Sequence, residues 1–146
     1  MGLSDVSTIL WRERNLLDLL LFKLEEERLV LAAGLDRWLP QATREVELVR
    51  AELRRIEAPR VGAVDALAAE LGLRPGRSLG EIAAAAPPPW DRLLDQHRVA
   101  VSEATEAIGP LERSHRQLLG SREVEPLFAW LEAAQQSDPL SRDPTK

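Results

Sequence analysis

The sequence predicts an all-α protein, an elongated antiparallel helical bundle or coiled coil of three long helices with a short connecting helix and a short C-terminal helix. Three observations carry that prediction. Leu3, Leu10, Leu17, Leu24 and Leu31 recur every seven residues, with Val6 and Leu20 at intervening positions. A seven-residue apolar repeat returns to one face of an α-helix. Further on, Ala42, Val46, Val49, Leu53 and Ile56 alternate by four and three. Aromatic residues make up only 4% of the 146 and tyrosine is absent, so Leu and Ala supply the bulk, as they do where helices pack on helices.

The first helix follows the leucine row. Ile9, Leu16 and Val30 widen its stripe beyond a two-stranded seam, which calls for two neighbouring helices. Arg12, Asp18, Glu25 and Glu26 read as its solvated face. Ser4 is placed to cap its start and Gly34 to end it in the left-handed conformation. At ~28 residues it spans ~42 Å. Trp11 and Trp38 fall off the central row and are expected to be half buried, against the third long helix or the hairpin turn.

Asp36 is a candidate turn cap, and Pro40 suits the first turn of a second helix. Glu47–Arg50 and Glu52–Arg55 stand at helical spacing on that helix. A short connection between two long helices makes an antiparallel hairpin. Pro59 and Gly62 interrupt the second stripe, while Val64, Leu67 and Leu71 continue it. Two outcomes stand open: a kink near Ala58 with helix resuming to Leu71, or a full break.

Gly72 to Arg77 reads as a loop with a Pro75-Gly76 turn. Ser78 to Glu81 has capping-box spacing and opens a short helix to about Ala85. Pro87-Pro88-Pro89 stops it as a stiff, extended bridge. Trp90 then opens the third long helix, with Leu93, Leu94, His97, Val101, Thr105, Ile108, Leu111, Leu118 and Leu119 roughly on one side. Gly109-Pro110 is expected to bend it, and Gly120 to end or kink it. The division that follows is residues 1–120 as the bundle and residues 121–146 as a C-terminal helix and flexible tail, a candidate client-binding segment.

Composition removes several function classes. One domain with a real core fits this length. A net charge of −5 with no clustered Lys/Arg stripe is unsuited to phosphate backbones. Without cysteine there is neither a disulfide nor a thiolate metal site. No basic segment precedes the first apolar stretch, and Asp18 and Lys23 break the Leu19–Phe22 run. Nothing approaches the ~20 apolar residues of a membrane span. The expectation is a cytoplasmic protein with no membrane insertion.

No catalytic, cofactor-binding or metal site is expected. Glu112-Arg113-Ser114-His115 has the Glu-x-x-His spacing of di-iron ligands, but a second copy and further carboxylates are missing. His97 lies eighteen residues from His115, ~27 Å along a straight helix. The pair Glu112 and His115 therefore reads as solvated surface. Neither histidine is followed by the small and basic residues a phosphotransfer helix uses. Phosphate-cradling glycine loops and the metalloprotease and hydrolase motifs are absent. The protein reads as a non-enzyme.

Leu118, Leu119, Leu127, Phe128, Trp130 and Leu131 are the candidate partner-binding residues. Ser121 is placed to cap a short helix bearing the last four, and the chain beyond Ser137 reads as disordered. Two of the chain's six aromatic residues fall within positions 127–131. One reading packs the strip back as core; the other leaves it open to a partner helix.

Several words in the chain resemble the flagellar export chaperone FlgN family in its actinobacterial form. They are Leu10-Trp11-Arg12-Glu13-Arg14, Leu20-Leu21-Phe22-Lys23-Leu24-Glu25-Glu26-Glu27, and Trp38-Leu39 leading to Thr43-Arg44-Glu45-Val46-Glu47. Later come Ala69-Glu70-Leu71-Gly72-Leu73, Pro75-Gly76-Arg77-Ser78-Leu79, Pro89-Trp90 and Arg116-Gln117-Leu118-Leu119. The resemblance runs from about Ser4 to Leu119. It departs at His115, where an Asn is usual, at Pro59 and Pro110, and after Gly120. It implies a cytoplasmic chaperone of type III flagellar export that binds unassembled hook–filament junction (hook-associated) proteins through its C-terminal region. Such a chaperone prevents premature assembly and delivers its clients to the export apparatus. The alternative is a coiled-coil structural or adaptor protein, a homodimer through the Leu3–Leu31 seam.

Overall fold

A computed structural model of the chain describes residues 2–119. Its elements are α1 (Gly2–Ala32), α2 (Leu39–Glu70), α3 (Leu79–Ala85) and α4 (Trp90–Leu119), with no strand among the described residues. The two apolar stripes explain how the long helices meet. Val6 and Leu10 of early α1 cluster with Leu67 and Ala68 of late α2, with Ile82 of α3 and with Leu94 of early α4. Leu17, Leu20 and Leu24 cluster with Val46, Val49 and Leu53 of early α2 and with Ile108 of α4. α1 therefore runs antiparallel to α2 and parallel to α4, and packs against both. This meets the widened stripe's demand for two neighbours.

The seam is shorter than the leucine row. Leu17 is fully buried, Leu3 is half-buried, and Leu31 is 45% exposed. Leu31 lies in the last turn of α1. Because Leu10 to Leu24 are buried within one chain, self-association through this seam would require the helices to separate.

Local signals behave unevenly. Gly34 has φ +68°, its N–H donates to Leu31 O, and the Leu35 N–H donates to Val30 O. These two bonds close the end of α1 in the Schellman manner. Ser4 is not the cap: α1 already begins at Gly2, and Ser4 O accepts from Thr8 Oγ1. Pro40 sits in the first turn of α2, whose N-cap is Trp38 with no side-chain bond, and Asp36 stands in the turn before it, its carbonyl accepting from the Leu39 N–H. The Ser78 Oγ accepts from the Glu81 N–H and so starts α3 as expected.

Pro59 lies inside one continuous α2, and Pro110 inside one continuous α4. Neither breaks its helix. The reason is register, since the steps Leu53–Arg60–Leu67 keep seven residues across Pro59. The core stripe has the same phase on both sides of it. Trp11 and Trp38 are half exposed, at 51% and 52%. Trp11 meets His97 of α4 edge to face at 5.1 Å, and Arg37 lies over Trp38 at the hairpin turn. No helix among the described residues is long and apolar enough to cross a membrane.

Candidate functional site

The seven-residue spacing that carries Val6 and Leu20 also lands on Glu13 and Glu27. Both carboxylates are buried in the seam. A charge taken out of water needs a partner close by, and each glutamate has one. Arg60 of α2, itself at a core-stripe position, places Nε 3.2 Å from Glu13. Burial still outweighs Arg60 and raises the Glu13 pKa from 4.5 to about 7.

Glu27 belongs to a larger ionic layer in the half of the molecule nearer the α1–α2 turn. His115 of α4 places Nδ1 2.8 Å from both Glu27 oxygens and Nε2 2.9 Å from Glu47 of α2. Arg50 donates to Glu47 at 3.0 Å and lies 3.7 Å from Glu112. Glu112 and His115 are both buried, so the surface-pair reading of this motif is overturned. They lie on the α4 stripe with Ile108, at helical spacing from it, and face α1 and α2. Among the described residues no group of three His, Asp or Glu side chains is arranged to hold a metal.

Geometry assigns the charge of each histidine. An ionised carboxylate only accepts hydrogen bonds, so a ring with a carboxylate at both nitrogens donates from both and is an imidazolium. Burial opposes that charge at His115. The hydrogen bonds that the ring donates to Glu27 and Glu47 and the charges of Glu27 and Glu112 outweigh it, and the pKa rises above 6.5. Burial likewise pulls the Glu47 pKa up, but His115 and Arg50 together bring it below 4.5. Burial raises Glu112 against the pull of Arg50 and His115.

His97 is the opposite case. Arg14 Nη1 sits 3.2 Å from its Nδ1, and an arginine can only donate. Nδ1 is therefore unprotonated, and Nε2 donates to Ser7 Oγ at 3.1 Å. Burial and the Arg14 charge hold its pKa below 6.5.

Beside the ionic layer lies an open groove of about 640 Å³, lined by Asp36, Leu39, Pro40, Thr43, Arg44, Glu47 and Leu118. Glu47 belongs to both, with its side chain 42% exposed. Leu118 and Leu119 are half-buried on the last turn of α4. Leu127, Phe128, Trp130 and Leu131 lie outside the described residues. Leu118, named from the sequence as partner-binding, lines this groove; the groove's other residues were not so named. The Glu47–Arg50 pair stands as the sequence spacing had it, whereas the buried roles of Glu13, Glu27, Glu112 and His115 were missed, although extending the Val6–Leu20 spacing would have found both α1 glutamates.

The ionic layer and groove together offer hydrogen bonding and apolar docking, which is binding chemistry. No curated protein and no solved structure matches the chain. The profile described as FlgN protein matches residues 1–122, a span that takes in the four described helices, the buried carboxylates Glu13, Glu27 and Glu112, and the groove. The chain belongs to the FlgN family of flagellar export chaperones.

Proposed function

We propose that this chaperone binds unassembled hook–filament junction proteins in the cytoplasm, keeps them from assembling early and delivers them to the type III export apparatus. In this reading the three long helices act as an elongated antiparallel bundle without cofactor or turnover. The end that carries the α1–α2 turn receives the client. The observation that supports it is the position of Leu118. It lines an open, mostly apolar groove one residue before the end of α4, and the chain then runs on to Leu127, Phe128, Trp130 and Leu131. Apolar and aromatic side chains of this kind anchor amphipathic partner helices. Residues 121–146 form the second half of the client surface and are dispensable for the fold of residues 1–120.

The test is a chain stopped after Gly120, beside Leu118→Asp and Trp130→Ala in the full protein. All three should melt as cooperatively as the parent. Capture of a purified hook–filament junction protein should fall at least ~10-fold, equivalent to 1.4 kcal/mol. Undiminished capture by the truncated chain would remove residues 121–146 from the client surface. Unfolding on truncation would make them core.

A further inference from the structure

His115 is the residue through which all three long helices meet in one hydrogen-bonded group. The groups facing it are Glu27 from α1, Glu47 and Arg50 from α2, and Glu112 with Arg116 on its own helix. These do not respond alike to loss of the imidazolium proton. Glu47 keeps Arg50 at 3.0 Å, and Arg50 also stays beside Glu112. Glu27 is different, because both of its oxygens take the same Nδ1–H and the side chain is 5% exposed. A neutral ring keeps one N–H: with the Nε2 proton lost to solvent, Glu47 falls back on Arg50 and Nδ1 still donates to Glu27, but the buried carboxylate no longer has a cation beside it.

We infer that His115 is a proton-held latch that fastens the last turns of α4 to α1 and α2, and with them the Leu118 wall of the groove. In the protonated state Glu27 and Glu47 grip the ring from two sides and α4 is docked through residue 119. In the deprotonated state the uncompensated charge of Glu27 is relieved by moving it into water, which separates the α4 end from α1. Leu118 then leaves the groove. His97 serves as the internal contrast: Arg14 already holds it neutral, so no docking there depends on a proton. The second half of the inference rests on the client reading above. A client seated in the groove takes solvent from Glu47, which increases that carboxylate's dependence on His115 and Arg50. By the reciprocity of linked equilibria, the protonated chaperone then binds client more tightly.

The test uses the full chain with ¹³C-labelled histidine, which has two imidazoles to follow, assigned with His97→Gln. The His115 resonance should titrate above the ordinary value of 6.5, and Glu27→Gln should move that midpoint down. Amide exchange in residues 112–119, corrected for its intrinsic pH dependence, should quicken as pH rises through the midpoint. Exchange in residues 94–101 should not. A midpoint at or below 6.5, or protection in residues 112–119 that ignores the titration, overturns the latch. Capture of a purified hook–filament junction protein should weaken roughly fivefold or more across the midpoint and lose its pH dependence in His115→Gln. If the resonance and exchange behave as expected while capture stays flat, the groove is not the client site and the latch stands.

Discussion

His115 and Glu27, 88 positions apart, are joined at 2.8 Å from Nδ1 to both carboxylate oxygens. A leucine at position 27 would have continued the seam, so an ion pair stands where packing would have served. Removing one member of a buried pair costs far more than the pair contributes, because the other charge is left stranded. Glu27→Ala should therefore lower stability by about 3–5 kcal/mol. Urea unfolding at a pH well below 6.5, where His115 carries its proton, checks this. Glu52→Ala, which breaks solvent-facing pairs with Arg12 and Arg55, should cost no more than about 1 kcal/mol.

The Glu13–Arg60 pair predicts a pH dependence of definite sign. Folding raises the Glu13 pKa from 4.5 to about 7, so the folded state holds that proton more tightly than the unfolded state. Its contribution is fully present below 4.5 and lost as pH rises to about 7. Parent and Glu13→Gln, unfolded in parallel across that range, should diverge, with the parent losing stability relative to the variant as pH increases.

Exchanging the whole pair for apolar groups should give the opposite of a single deletion. Glu13→Leu with Arg60→Met extends the seam on both helices. It should be neutral or stabilising by about 1–4 kcal/mol, read as a higher denaturation midpoint at neutral pH.

Leu17 is fully buried in the cluster that joins α1 to early α2 and to Ile108 of α4. Leu17→Ala should cost about 2–5 kcal/mol, the transfer loss plus the cavity left behind. A calorimetric or urea measurement showing less than the ~0.5 kcal/mol of a surface change would place the residue outside the core.

Pro59 is exposed within a continuous helix. Its ring removes one N–H from the helical ladder and crowds the preceding turn. Pro59→Ala should raise the melting temperature, with a gain of up to about 3 kcal/mol, and Arg60 should keep its place beside Glu13. An unchanged or lower melting temperature would mean that the turn around Pro59 is already relaxed.

The sequence by itself determined the helices, because their signals are local. The stripe from Val46 to Ile56, the Ser78–Glu81 cap and the left-handed Gly34 act within a few residues of themselves, and each appears in place. Family words spread from Leu10 to Leu119 identified the chaperone family for the same reason, since each is read within the chain. Burial of charge could not be read that way. Glu13 and Glu27 stand at seam spacing, but their partners Arg60 and His115 come from other helices, and Glu112 and His115 look like a surface pair until α1 and α2 close over them. Leu31, conversely, has the spacing of a core residue and is nevertheless 45% exposed. A carboxylate's cost depends on the cation and water around it, and those neighbours were assembled only when three helices met side by side.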